Sequence, residues 1–397
     1  MNRNIKSIPF ARPSTGVEEE QAVSRVLKSG WLTTGKEAKA LEKEFADILG
    51  IPFSKAVNSA TAGLHLSLEA CGIGEGHLVA TTPFTFTATA EIIRYLGADP
   101  FFIDIEPDSP NISPEKLSEN IERVNKAKDT GKSLKAVIPV HYAGELCRMK
   151  QIADICTPNG IQIVEDAAHC APIPVEKTGI AQYSDAAVYS FYANKHLTTG
   201  EGGMVVTSNE NLSKRIEIMR LHGIDRESWK RYTEVHAPWQ YDVVEAGYKY
   251  NMPDINAAIG REQLKKSNAF LKRRQYIAAE YNKALMEYDF CTCPQNGSFH
   301  SRHIYPLLLH TEKLTIDRDD FAAKLQDEGV GISVHYIPLH IMAYYKKRYG
   351  YKPQDFPNAL ERFRRTVSIP LYPSLTEEEI RYIIDKVICI GTQYYKG

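Results

Sequence analysis

The chain has no surplus of either charge. Its 48 lysines and arginines nearly cancel its 49 aspartates and glutamates, and no single-sign block of the kind that makes a nucleic-acid arm or a membrane-surface patch occurs. Nucleic acid is therefore not an expected partner, and any bound anion must be held by a local arrangement of groups. No stretch reaches the roughly 18 apolar residues needed to span a bilayer. The opening Met1-Asn2-Arg3-Asn4-Ile5-Lys6 lacks the apolar run of a secretory signal, so the expectation is a cytoplasmic protein without a membrane partner. Seven cysteines, an odd number, are scattered with no C-x-x-C pair and no zinc-like spacing, which argues against a disulfide framework and against a metal site. Cys291-Thr292-Cys293, the nearest thing to a cluster, places both thiols on one face of an extended strand and reads as a core or edge pair. A dinucleotide fingerprint is missing too. Gly72-Ile73-Gly74-Glu75-Gly76 follows a helical pattern and breaks the G-x-G-x-x-G spacing, which removes the dehydrogenase reading. There is no internal repeat and no low-complexity segment.

What is present is an ordinary globular composition, 43% apolar and 24% charged over 397 residues, enough chain for about two or three unequal domains. Apolar residues at three- and four-residue spacing predict helices from Val17 to Leu27 and Lys36 to Ile48, flanking the turn Ser29 to Gly35. Short apolar runs then alternate with helical patterns. Strands are predicted at Lys55 to Val57, His77 to Ala80, Phe101 to Ile103, Ala136 to Val140 and Ile161 to Val164. Helices are predicted at Thr61 to Cys71, Thr87 to Tyr95, Pro114 to Val124 and Met149 to Cys156. Such alternation predicts a largely parallel sheet covered on both faces. Two further runs, Ala186 to Tyr189 and Met204 to Thr207, have no long crossover between them and predict an antiparallel pairing. A polar stretch, Asp225 to Tyr241, precedes a long helical pattern from Asp254 to about Leu285. The turn-rich Cys293-Pro294-Gln295-Asn296-Gly297 suggests a change of domain near Tyr288. The expected architecture is a large mixed-sheet α/β domain over residues 1–287 and a small α+β domain over 288–397.

The chemistry concentrates in Ser190-Phe191-Tyr192-Ala193-Asn194-Lys195-His196-Leu197-Thr198-Thr199-Gly200-Glu201-Gly202-Gly203, a strand end followed by a polar, glycine-rich loop. A lone lysine there would ordinarily be a solvated surface residue. Its company changes that, because Ile161 to His169 puts Asp166 at the carboxyl end of a strand, where open α/β sheets bind ligands. Pyridoxal 5'-phosphate (PLP) needs a lysine amine, a carboxylate to keep its pyridine nitrogen protonated, and a cradle for its phosphate. Lys195 and Asp166 are candidates for the first two. Ser59-Ala60-Thr61-Ala62-Gly63, between a strand and a helix, is a candidate cradle, and otherwise an ordinary helix cap.

With these residues in view, the sequence resembles the PLP-dependent sugar aminotransferases of the DegT/StrS type nearly from end to end. The resemblance is carried by Gly30-Trp31-Leu32-Thr33-Thr34-Gly35, Thr82-Pro83-Phe84-Thr85-Phe86-Thr87-Ala88-Thr89, Pro139-Val140-His141-Tyr142-Ala143-Gly144, Glu165-Asp166-Ala167-Ala168-His169, the Ser190 to Gly203 loop, Gly247-Tyr248-Lys249-Tyr250-Asn251 and His335-Tyr336-Ile337-Pro338-Leu339-His340. It implies the aspartate-aminotransferase-like fold of type I. It also implies Lys195 as Schiff-base lysine and proton shuttle, Asp166 as partner of the pyridine nitrogen, and Thr61, Ala62 and Ser190 as phosphate ligands. Phe86 falls where the family stacks an aromatic ring on PLP, and His169 where it bonds the cofactor's phenolic oxygen. The family's usual donor is L-glutamate and its acceptor a nucleotide-linked keto-sugar, processed by a homodimer with shared active sites.

Two details refine the expectation. The related sugar dehydratases carry histidine in place of the lysine, whereas here the lysine is present and the histidine follows as His196, so transamination is favoured. Many members read Gly-Tyr-Asn-Tyr-Arg where this chain has Gly247-Tyr248-Lys249-Tyr250-Asn251, so either Lys249 or Asn251 is the residue that reaches the partner subunit's cofactor phosphate. This variant is similar to the branch that makes UDP-4-amino-4-deoxy-L-arabinose, which points to a 4-keto-sugar rather than a 3-keto isomer. His335 and Tyr336 are read either as walls of the sugar pocket or as core residues. A regulator that keeps the fold without catalysis would have lost the lysine or the carboxylate, and neither is lost.

Overall fold

The computed structural model describes residues 7–126, 132–225, 241–294 and 299–396. Most of the polar stretch Asp225 to Tyr241, and Gln295 to Gly297 of the Cys293 to Gly297 turn, lie outside the described residues.

Period-two patterning decides the large layer. Strands β1 (Phe53–Val57), β2 (His77–Thr81), β3 (Asp99–Phe102), β4 (Ser133–Ile138), β5 (Gln162–Asp166), β6 (Ala186–Ser190) and β7 (Gly203–Thr207) form one sheet in the order β1-β7-β6-β5-β4-β2-β3. Every pairing is parallel except those of β7, which runs against both β1 and β6. Successive side chains of the central strands enter opposite cores. Ala186 and Val188 of β6 and Val205 of β7 pack with the helix Ala60–Ala70 on one face. Ala187, Tyr189, Met204 and Val206 pack on the other, against the helix Lys36–Leu49 and the first half of the long helix Asp254–Leu285. Both faces are buried, which is why these strands read as continuous apolar runs in the sequence. The expected strands and helices are all found with ends moved by up to three residues, β3 at Asp99–Phe102 and β4 at Ser133–Ile138 both starting earlier than expected, and the expected antiparallel pairing is β6 with β7.

A second, antiparallel sheet holds β8 (Cys291–Thr292), β9 (Tyr305–Leu309) and β10 (Thr366–Ile369) in the order β10-β9-β8. Its core includes Leu307, Leu309, Val367, Ile369, the far half of the long helix at Ile277 and Tyr281, and Ile383 and Val387 of the helix Glu377–Gln393. Cys291 is buried in this core, and Cys293 packs against it partly buried. One rigid 32-residue helix thus contributes to both cores.

Asp254, the first residue of that helix, fixes the entry of the chain. Its buried carboxylate accepts from the backbone N–H groups of Gly35 at 2.7 Å, Ala38 at 3.1 Å and Glu37 at 3.2 Å, capping the helix Lys36–Leu49 from outside. Gly35 is required here, since a Cβ would stand 2.4 Å from Trp31 Nε1 and 2.8 Å from Asp254 Oδ2. Asp254→Ala strands three donors in the interior and is expected to cost about 2–3 kcal/mol. The urea unfolding midpoint of the variant checks this, and an unchanged midpoint would show that water satisfies the same donors.

Candidate active site

The carboxyl edge of the large sheet gathers the residues singled out in the sequence. Asp166 ends β5, Ser190 ends β6, and the loop from Phe191 to Gly202 carries Lys195. On the same edge, β1 delivers Ser59 and the first turn of the helix Ala60–Ala70. Two glycines allow the close approach. A Cβ on Gly203 would lie 2.7 Å from the Ala60 nitrogen, and one on Gly63 would lie 2.7 Å from Val188 Cγ1, so the reversed strand and the helix N-terminus meet only because both side chains are absent.

Asp166 is buried, and each carboxylate oxygen has a donor. Ala168 N–H donates to Oδ1 at 3.1 Å and Thr89 Oγ1 donates to Oδ2 at 2.8 Å. Thr89 has spent its proton on the carboxylate, so its 2.8 Å partner Thr85 Oγ1 donates to it. The Thr85 to Thr89 to Asp166 chain is one that sequence reasoning missed. The signal lay inside the Thr82 to Thr89 motif, as two threonines four residues apart at a helix start, but nothing local tied them to Asp166.

Lys195 is half-buried and makes no ion pair or side-chain hydrogen bond among the described residues. Burial pulls its amine down to about 8, against the attraction of Asp166 and Cys170, which raises it. The Asp166 carboxylate is near enough to be felt and too far to pair.

His169 is buried with both nitrogens engaged. Ala143 N–H donates to Nδ1 at 3.0 Å and Nε2 meets Tyr336 Oη at 3.0 Å. Burial, then the cations around it, holds its pKa well below the ordinary value. The ring is neutral, and since Nδ1 accepts, the proton sits on Nε2. Ala143 adopts φ 57° and Gly144 φ 87° in the Tyr142–Gly144 turn. A Cβ at Gly144 would stand 2.8 Å from His169 O. Tyr142 Oη donates to His335 O at 2.5 Å, so one turn holds both histidine segments.

His335 and Tyr336 come to the same place. His335 Nδ1 meets Ser368 Oγ at 2.9 Å, and burial takes its pKa down to about 3. Phe86 lies 6.1 Å from the Tyr336 ring, yet 59% of its surface is open. An aromatic ring left bare beside buried polar groups is what a planar cofactor would cover. In the cradle, Ser59 Oγ accepts from Ala62 N–H at 3.1 Å, while Thr61 has no side-chain partner among the described residues. Ser190 Oγ accepts from Tyr192 N–H at 3.3 Å. Lys249 is exposed, and Asn251 is buried with Nδ2 donating to Thr34 Oγ1 at 2.6 Å.

Comparison with known proteins decides the family. The model of the DegT/DnrJ/EryC1/StrS aminotransferase family matches residues 13–388. The chain belongs to this family. It is 41% identical to the spore coat polysaccharide biosynthesis protein SpsC of Bacillus subtilis over 383 residues, 96% of each chain. Among solved structures it is similar to PseC of Helicobacter pylori, an aminotransferase involved in the biosynthesis of pseudoaminic acid. The TM-score is 0.87 at 25% identity, covering 98% of this chain and 100% of that one. It is also similar to Spr1654 of Streptococcus pneumoniae, described as a sugar aminotransferase and solved in its pyridoxamine phosphate form. There the TM-score is 0.86 at 28% identity, covering 97% and 99%. The fold is the expected α/β fold of type I, the cofactor is PLP, and the protein is a sugar aminotransferase. No helix of the described residues is long and apolar enough to cross a membrane. No group of metal-ligating side chains occurs among the described residues either.

Two outcomes follow from the geometry. Thr89→Val leaves one buried carboxylate oxygen without its donor and is expected to cost about 1–3 kcal/mol, most of it recovered by Thr89→Ser. Urea unfolding of the three proteins checks it, and equal midpoints for Thr89→Val and the unmodified chain would mean that solvent reaches Asp166 Oδ2. The depressed Lys195 amine is mostly protonated below about pH 8 and a free nucleophile above it. Reconstitution of cofactor-free protein with PLP should therefore quicken up to about pH 8 and level off. A rate still climbing tenfold per pH unit toward 10 would show an ordinary lysine.

Proposed function

We propose that the chain transfers the amino group of L-glutamate to the 4-keto carbon of a nucleotide-linked sugar, in a homodimer whose active sites are shared. Lys195, a half-buried amine near the Asp166 carboxylate that forms no ion pair among the described residues, carries this reading. Lys195 would anchor PLP, Asp166 would hold its pyridine nitrogen protonated, Thr61, Ala62 and Ser190 would take its phosphate, Phe86 would stack on its ring, and His169 would face its phenolic oxygen. When bound, PLP supplies the electron sink that lets a C–H bond beside nitrogen ionise.

The rest is the work of the chain's own groups. A Lys195 amine depressed to about 8 is near the pKa at which one group both accepts and returns a proton at neutral pH. It takes the α-proton of the amino acid and later delivers a proton to the sugar carbon. Thr89, itself held by Thr85, and the Ala168 N–H each take one oxygen of Asp166 and keep the carboxylate in a single orientation. His169, neutral with its proton on Nε2, acts as a donor and not as a second base. His335 and Tyr336 wall the sugar subsite.

Three observations support the finer reading. The Lys249-Tyr250-Asn251 variant is similar to that of the family branch making a 4-amino sugar. SpsC and PseC are described as acting in the biosynthesis of surface carbohydrate and of pseudoaminic acid. For the shared site, the Asn251 amide is already bonded to Thr34 of its own chain while the Lys249 side chain is exposed, which favours Lys249 as the group that reaches the partner subunit's cofactor phosphate.

Incubation of the holoenzyme with glutamate and paired UDP-linked 4-keto and 3-keto sugars, read by mass, tests the proposal. Amination of the 4-keto compound at least tenfold faster, abolished in Lys195→Ala, is the expected result. Preference for the 3-keto isomer would overturn the position, and full turnover by Lys195→Ala would overturn the role of the lysine.

A further inference from the structure

A small cavity beside Lys195 has a wall of cations and no acid. Arg12, Ser14, Lys195, His196 and Arg274 line it, and its remaining described residues carry no charge. The free volume is about 10 Å³, the room of one water or of one oxygen atom of a larger group.

The groups around this space are short of partners. Arg274 is buried, yet among the described residues its acceptors are backbone carbonyls, His303 O at 2.9 Å and Leu371 O at 2.6 Å, both from Nη1, and its Nε has none. A guanidinium in the interior without a carboxylate is costly, and burial alone draws its pKa down to about 10. Among the described residues, Ser14 Oγ is buried without a partner, and neither ring nitrogen of the buried His196 makes a hydrogen bond of ordinary geometry. Arg12 is exposed, lies 5.7 Å from the Tyr372 ring, and forms no ion pair among the described residues. Two buried groups without partners among the described residues, Arg274 Nε and Ser14 Oγ, belong to residues lining one oxygen-sized space that has arginines and no carboxylate on its wall, a setting that suits an oxyanion.

Resting on the aminotransferase reading above, we propose that this cavity is the subsite for the α-carboxylate of the amino donor, with Arg12 and Arg274 as its cationic walls and Ser14 as a third donor. The chemistry of the two substrates selects which anion it takes. In an α-amino acid the carboxylate carbon stands only about 2.5 Å from the amine nitrogen, so its site must adjoin the lysine with which that nitrogen exchanges. The diphosphate of a nucleotide-linked sugar hangs from C1, on the far side of the ring from a 4-keto carbon, and belongs elsewhere. One carboxylate oxygen fills the cavity and meets Arg274 Nε and Ser14 Oγ, and the other faces Arg12 at the open side.

The test uses the holoenzyme and two amino donors, L-glutamate and 4-aminobutyrate, which keeps a primary amine and a distal carboxylate but has no α-carboxylate. The spectrum of the bound cofactor follows the donor half-reaction by itself. Arg12→Ala should raise the half-saturating concentration of glutamate about 10- to 100-fold and leave that for 4-aminobutyrate within about twofold, so that the preference for glutamate collapses. Arg274→Lys, which keeps the charge but has no Nε–H, should move in the same direction. Should Arg274→Lys fail to fold because Arg274 also ties two loops together, Arg12→Ala decides. Unchanged glutamate saturation and unchanged preference in Arg12→Ala, with a wild type that is converted by glutamate, would overturn this subsite alone. A wild type converted by no amino acid would overturn the donor reading and this subsite with it.

Discussion

The site is organised around an amine that is partly withdrawn from water and has no bonded partner among the described residues. Lys195 gains only the distant attraction of Asp166 and Cys170, which does not offset the loss of hydration, so its pKa settles near 8. An ion pair within bonding distance would stabilise the ammonium and tie up the nucleophile. The surroundings respect that constraint. Asp166 has both oxygens occupied by Thr89 and Ala168. His169, His196 and His303 are all held neutral, first by burial and then by Lys195 among their cationic neighbours. A cluster of cationisable groups in the interior is tolerable only when most of its members stay uncharged.

Strand polarity is what brings this set together. With β7 alone reversed, β1, β5 and β6 all end on one edge, so a helix N-terminus, a carboxylate and a lysine-bearing loop face the same space. The reversal also removes the need for a crossover helix between β6 and β7, leaving the intervening residues free to form the Lys195 loop. Gly203 and Gly63 complete the geometry, since side chains there would collide with the Ala60 backbone and with Val188. These contacts place catalytic demand on residues with no functional group at all.

Much of this was readable in the chain before any coordinates. Strand positions, the antiparallel β6 and β7, and the placing of Lys195 and Asp166 at strand ends follow from local patterning, because periodicity and turn chemistry are short-range properties. What was not readable depends on contacts between distant segments. Thr89 meets Asp166 across 77 residues, Asp254 caps a helix more than 200 residues earlier, and Tyr142 reaches the His335 carbonyl across 193. Arg274 sits among the basic residues of a long helix and looks like part of its solvated face. Only the packing of His303 and Leu371 against it shows that it is buried. The bond from Asn251 Nδ2 to Thr34 Oγ1 likewise joins segments 217 residues apart.

The turn at Tyr142 to Gly144 shows how backbone conformation sets the chemistry of a side chain. Ala143 sits in the left-handed region, a cost of about 1–2 kcal/mol for a residue with a Cβ. Its N–H is thereby aimed at His169 Nδ1. A backbone amide can only donate, so this contact removes the choice of tautomer: a neutral His169 must carry its proton on Nε2, toward Tyr336 and the space in front of Phe86. Tyr336 Oη then accepts from the ring and keeps its own hydrogen for another partner. Burial, with Tyr142 and Asp166 adding to it, raises the pKa of Tyr336 well above the ordinary value, so that hydrogen stays in place. The left-handed Ala143 thus decides which nitrogen of His169 carries the proton, and with that proton given to Tyr336 Oη the phenol's own hydrogen is the one left to donate.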